Sequence, residues 1–167
     1  MLRQLTEAVQ SGRIVADLSW ARLSRWREMI ALAFETPECH GRRQEFSGIH
    51  VSYAGDAVPV TAYYMAGWLA STLRWPASDS RLSLAAADGG VSGLQSVVLT
   101  SPGMEVSIRR RGEHEIDVQV NELVQSAIVP PDADSALLGE ELSISGRDAV
   151  FEAALAAADR IAQNARS

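Results

Sequence analysis

The chain contains no lysine; all fifteen of its basic residues are arginine. No side chain here can form a Schiff base, act as a lysine general base or supply the lysine of a phosphate-binding loop. Cysteine is almost as scarce. Cys39 stands alone, so no intramolecular disulfide is possible, which suits a reducing compartment and makes the cytoplasm the expected address. The first ten residues carry Arg3 and Glu7 and lack the apolar core of a signal peptide. Long hydrophobic runs are missing too. The longest uncharged stretch, Ala57 to Leu73, contains Pro59 and falls short of the ~20 residues that span a bilayer. It reads as a buried helix, and no membrane partner is expected. A basic excess is also lacking. The net charge of −6 argues against a dedicated nucleic-acid binder.

What remains is an ordinary globular composition, 47% hydrophobic and 22% charged, over 167 residues and 18.0 kDa. That length fits one domain, residues 1–167, able to fold without metal or disulfide. The charge is uneven. From Glu113 onward eleven acids meet three arginines, a local net of −8 against +2 for the rest, so one end of the domain should be acidic. A solvated surface that aids solubility accounts for it.

Periodicity supplies the elements. Leu2, Leu5 and Val9 share a helical face that stops at Gly12. Asp17 or Ser19 is placed to cap a second helix. Along it Trp20, Leu23, Trp26 or Arg27, Ile30 and Phe34 recur every three or four residues, Arg22, Arg25 and Glu28 fall on the wetter side, and Pro37 ends it. Ile49, Val51 and Tyr53 alternate with polar residues as in a half-buried strand. Asp56 and Pro59 open a helix to Leu73 that is apolar nearly all round, where Ala66, Gly67 and Ala70 would admit a close neighbour. Strand-like runs follow at Leu82 to Ala86, Leu94 to Thr100, Met104 to Arg109 and Ile116 to Val120, divided by Asp88-Gly89-Gly90, Pro102-Gly103 and a turn near Gly112. In the third of these, Met104, Val106 and Ile108 should face the core and Glu105, Ser107 and Arg109 the solvent. Pro130-Pro131 mark a break, a short helix is expected over Ser135 to Leu142, and Ser145 is placed to cap a last helix whose Val150, Phe151, Ala154, Leu155, Ala158 and Ile161 face inward. The expected fold is α/β (α+β). It has a mixed, roughly five-stranded sheet with one βαβ unit and an antiparallel meander, packed with about four to five helices.

Catalytic chemistry is hard to find. A nucleophilic cysteine needs a histidine in reach, yet Cys39 and His40 are neighbours whose side chains should point apart. A lone cysteine is more often a small buried hydrophobe. Neither Cys39, His40 and His50 nor Glu113-His114-Glu115 has the spacing of a zinc motif. Gly89, Gly90 and Gly93 join strands and do not open a helix, so turn formation explains them better than a phosphate cradle. Arg109, Arg110 and Arg111 sit beside Glu113 and Glu115, where pairing within the chain is the default. No catalytic residue, cofactor or metal is expected. The most suggestive segment is Trp20-Ala21-Arg22-Leu23-Ser24-Arg25-Trp26-Arg27-Glu28. Tryptophan and arginine dominate binding hot spots, but these tryptophans could equally anchor a core with arginines stacked on them.

That segment extends a longer pattern. Asp17-Leu18-Ser19-Trp20-Ala21-Arg22-Leu23-Ser24-Arg25-Trp26-Arg27-Glu28 resembles the Asp-Leu-x-Trp-x-Arg-Leu-x-x-Trp-Arg-Glu signature of the glucose-6-phosphate dehydrogenase assembly protein family, OpcA. Ala66-Gly67-Trp68-Leu69-Ala70-Ser71, with Leu73 and Trp75, looks like that family's Gly-Trp-Leu-Ala-Ser helix. Leu137-Leu138-Gly139-Glu140-Glu141-Leu142, Gly146-Arg147-Asp148 and Phe151-Glu152-x-Ala154-Leu155 are similar to its C-terminal end. The resemblance implies the C-terminal domain of a non-catalytic protein that binds glucose-6-phosphate dehydrogenase and assembles or activates it, with an N-terminal domain preceding it in typical members. The dehydrogenase is therefore the expected partner, and Trp20, Arg22, Arg25, Trp26 and Arg27 are the expected contact residues. In photosynthetic members cysteines link the activator to thioredoxin; Cys39 alone gives no intrachain counterpart. A different class of function, a sugar-phosphate or nucleotide sensor lined by arginines, is the alternative.

Overall fold

The computed structural model describes residues 1–112, 114–128 and 147–165. The chain opens with helix α1 (Leu2–Gln10), which turns Leu2 and Val9 inward and stops where Gly12 adopts a φ of 84°. Asp17 then caps α2 (Leu18–Ala21), and α3 (Ser24–Phe34) follows after a two-residue break. The periodicity predicts one continuous helix here; the structure tightens the chain at Arg22 and Leu23, where the Leu23 amide bonds back to the Trp20 carbonyl at 3.0 Å. On a straight helix Trp20 and Trp26 would point about 120° apart. The break lets both indoles enter the core.

Six strands form one sheet in the order β2-β1-β3-β4-β5-β6. β1 (Gly48–Ala54) and β2 (Leu82–Ala86) are parallel, with Ile49 opposite Leu82, and α4 (Val60–Leu73) crosses between them. This is the expected βαβ unit. β3 (Gly93–Ser101) returns antiparallel along the other side of β1, with a bulge at Ser52 and Tyr53. β4 (Met104–Arg110), β5 (Glu115–Val120) and β6 (Leu123–Ile128) complete the meander. Where five strands are expected there are six. β6 has no clean polar–apolar alternation, and only Asn121 and Glu122 separate it from β5. Asn121 takes a φ of 52°, the left-handed geometry of a two-residue hairpin turn, so the signal lay in the turn and not in the strand.

The described helices pack on one face. α4 is buried nearly all round between the sheet and the final helix α5 (Ala149–Asn164), and α3 covers β4 and β5. Gly67 sets the α4–α5 approach. A methyl group built there would sit 2.7 Å from the Ala158 amide nitrogen, and closer still to the Ala154 carbonyl oxygen. Ala66, Ala70, Ala154 and Ala158 line the same seam, all fully buried.

Several details depart from expectation. Asp148 caps α5, its carboxylate accepting from the amides of Val150 and Phe151 at 2.9 and 3.0 Å. Val150 lies on the exposed side of α5 while Phe151, Ala154, Leu155, Ala158 and Ile161 are buried. Ser107, on the face expected to meet solvent, is buried. The expected break at Pro130-Pro131, the helix over Ser135 to Leu142 and the Ser145 cap lie outside the described residues.

Candidate protein interface

The segment from Asp17 to Glu28 is built on one carboxylate. Asp17 is extended (φ −133°, ψ 113°), and one of its oxygens accepts from the Ser19 amide at 2.7 Å, starting α2. The other accepts from the Tyr64 hydroxyl of α4 at 2.6 Å. Burial first, and then this bond to Asp17, push the Tyr64 phenol well above its ordinary range. One residue thus caps a helix and ties it to the most buried helix of the fold.

Trp20 and Trp26 are each only 2% exposed. Trp20 meets Tyr64 edge-on, with ring centroids 6.0 Å apart, and Phe151 of α5 at 5.5 Å; Tyr64 and Phe151 close the triangle at 5.8 Å. Such pairs add ~0.5–1.5 kcal/mol each beyond the area they bury. The structure therefore places both tryptophans in the core, and neither is available to a partner while the fold stands.

Two arginines, Arg27 and Arg110, lie beside these rings. The Arg27 guanidinium sits 3.7 Å from the centre of the Trp20 ring, and its Nη2 donates to Ser24 Oγ at 3.1 Å. Arg110, from β4, lies 5.9 Å from Trp26 and donates from Nε to the Leu94 carbonyl at 3.1 Å. Arg25 pairs with Glu28 at 3.1 Å, while its buried Nε has no hydrogen-bond partner among the described residues. Arg22 is exposed, and Arg25 and Arg27 are half-buried. Of the five expected contact residues, Arg22 is thus exposed, Arg25 and Arg27 are half-buried with a buried Nε each, and the two tryptophans lie in the core. From sequence Arg110 is only one of the Arg109-Arg110-Arg111 triplet expected to pair with nearby acids, and its place beside Trp26 is not foreseen. It is 84 residues from Trp26, and nothing local announces a stacking partner that arrives from another strand.

The other candidate groups are dispersed. Cys39 is fully buried, with its Sγ 3.5 Å from Met104 Sδ. His40 is exposed and lies 3.8 Å from Glu35, and His50 bonds to Ser83 at 2.8 Å. Cys39 and His40 thus diverge, as neighbours should. Arg111 pairs with Asp117, which also accepts from Ser126 at 2.8 Å; the Arg111 bond comes first in holding the Asp117 carboxyl below its usual range. Gly89, Gly90 and Gly93 all have positive φ; the first two lie in the turn from β2 to β3 and Gly93 opens β3. No group of three or more His, Cys, Asp or Glu among the described residues could hold a metal ion. No described helix is long and apolar enough to cross a membrane.

The model of a family described as the C-terminal domain of a glucose-6-phosphate dehydrogenase subunit matches residues 13–155, most of the chain. Among curated proteins, the chain is 36% identical over 74 residues to one from Nostoc punctiforme and 36% identical over 74 residues to one from Synechocystis, both provisionally named OxPP cycle protein OpcA. A third of that name, from Synechococcus elongatus, is 38% identical over 69 residues. These matches cover 44, 44 and 41% of this chain, but only 16, 15 and 15% of those proteins. The chain therefore matches about a sixth of the length of these relatives.

Proposed function

We propose, because the chain belongs to the family formed by the C-terminal domain of this glucose-6-phosphate dehydrogenase subunit, that it is a non-catalytic binding domain which assembles or allosterically activates glucose-6-phosphate dehydrogenase. Its place would then be the oxidative part of the pentose phosphate pathway, where that enzyme generates NADPH. The family match over residues 13–155 carries this reading. The surface arginines are consistent with it. Guanidinium forks suit carboxylates on a partner, and a fork held over an indole, as that of Arg27 is, loses less freedom on binding than a loose one. Arg22, Arg25 and Arg27 are the proposed contacts, with Trp20 and Trp26 anchoring α2 and α3 on either side of Arg22.

The test is to replace Arg22 and Arg25 together by alanine and measure binding to the dehydrogenase of the same organism by calorimetry. Arg22 is exposed and Arg25 gives up a part-exposed pair with Glu28, so the expected result is weaker affinity with only a small change in melting temperature. Undiminished affinity in the double variant would remove this surface from the proposal.

A further inference from the structure

The two edges of the sheet are built differently. β2 is short, at five residues, and flanked by charge. The ion pair of Arg81 with Asp79 (2.7 Å) precedes it and Asp88 follows it. Short length and flanking charge are the usual means of keeping an edge strand from pairing with another chain. β6, the other edge among the described residues, is nearly as short and has Glu122 directly before it, but its large apolar side chains are open to solvent. It runs six residues, Leu-Val-Gln-Ser-Ala-Ile, with no charged side chain and no proline. Leu123, Val124 and Ile128 are 63, 55 and 74% exposed. Leu123 points to the helix-bearing face and Val124 and Ile128 to the opposite one, so apolar surface is open on both sides of the edge. Beside it, Met29, Leu32, Val118, Val120 and Leu123 line a shallow hollow between α3 and the sheet.

We propose that two copies of this chain pair through β6, antiparallel about a two-fold axis, joining their sheets into one of twelve strands. The strand is complementary to itself. A two-fold axis normal to the sheet keeps each face on its own side, so residues of like parity meet. With Ser126 on the axis, Val124 of each copy lies opposite the partner's Ile128, an apolar cross-strand pair made twice. The acidic chain, at net −6, does not oppose this pairing at the contact. Glu122 of each copy falls at the far end of the paired strands, roughly 27 Å from the other. The contact is small, below the ~1,200 Å² of a standard interface, so the dimer exchanges with single chains.

Sedimentation equilibrium of the full chain over a wide concentration range tests this. The expected mass rises from 18.0 kDa towards twice that value. V124K should move the association midpoint upward by ~10-fold or more without changing the melting temperature. V91K, a charge placed on the exposed β2–β3 turn, should leave association as it is. The variant Ser126→Cys should form a cross-linked dimer under mild oxidation, because that position meets itself on the axis while Cys39 is buried. A single-chain mass at every concentration overturns the proposal, and so does a dimer indifferent to V124K. A chain that stays monomeric alone but loses the dehydrogenase on V124K also overturns it, by assigning the edge to another protein.

Discussion

Gly67→Ala isolates the contact that holds the helical layer together. The added methyl would meet the backbone of α5, at 2.7 Å from the Ala158 nitrogen, 3.1 Å from its Cα and closer to the Ala154 carbonyl oxygen. A side chain in the way could rotate aside; helix backbone cannot. To restore ordinary contact near ~3.5 Å, the two helices must part by about 1 Å along a seam of fully buried alanines. Overpacking of this kind costs ~1–3 kcal/mol and sometimes more. Against it stands the better helix propensity of alanine, ~1 kcal/mol. A backbone clash belongs at the upper end of the overpacking range, so the net expected loss is about 2 kcal/mol. At this chain length that lowers the melting temperature by ~4–8 °C. Thermal and urea melts followed by circular dichroism read it directly. Gly112→Ala is the control, since nothing lies within 4 Å of a methyl group there. An unchanged or raised melting temperature for Gly67→Ala would refute the close-packed seam, because only the propensity gain would then remain.

Other outcomes follow from the same packing. Trp20→Ala removes a ring buried against Tyr64, Phe151 and Arg27. It should cost ~3–5 kcal/mol of stability in urea melts, a loss too large for a residue that served only a partner. Tyr64→Phe leaves one Asp17 oxygen without its 2.6 Å donor and should cost ~1–3 kcal/mol. The same pair shapes the alkaline limit. The Tyr64 phenol is raised in the fold, chiefly by burial, whereas the unfolded chain releases that proton near pH ~10. Its contribution is therefore complete below about pH 10 and is lost as the pH rises beyond it. Melts between pH 8 and 11 should fall more steeply for wild type than for Tyr64→Phe. With no lysine in the chain, no ammonium titration of a side chain overlies that window; parallel curves would show that Tyr64 is not linked to folding.

Much of the fold was legible because local pattern and tertiary role agreed. β4 and β5 alternate, Asp88-Gly89-Gly90 turns, and Ala66, Gly67 and Ala70 are small where α5 comes close. Where they disagreed, longer-range packing decided. The Trp20–Phe34 periodicity reads as one helix, but burying two indoles six residues apart required a break at Arg22 and Leu23. Ser107 alternates as a solvent residue yet is buried near the middle of a wide sheet. Alternation gives the face of a side chain and not what surrounds that face. The Asp17-to-Glu28 segment shows the same division. Sequence alone left Trp20 and Trp26 open between core and interface, because both roles call for a large aromatic beside arginine. The partners that settle their position, Tyr64 and Phe151 for Trp20 and Arg110 for Trp26, lie 44 or more residues away in the chain.

The central claim is tested most directly by mixing this protein at equimolar ratio with the glucose-6-phosphate dehydrogenase of the same organism. Dehydrogenase activity and the mass of the resulting assembly are then measured together. The account predicts higher activity, a larger complex, or both, and weakening of either effect by the double replacement of Arg22 and Arg25. An enzyme whose activity and mass are both unchanged by the added protein would contradict it.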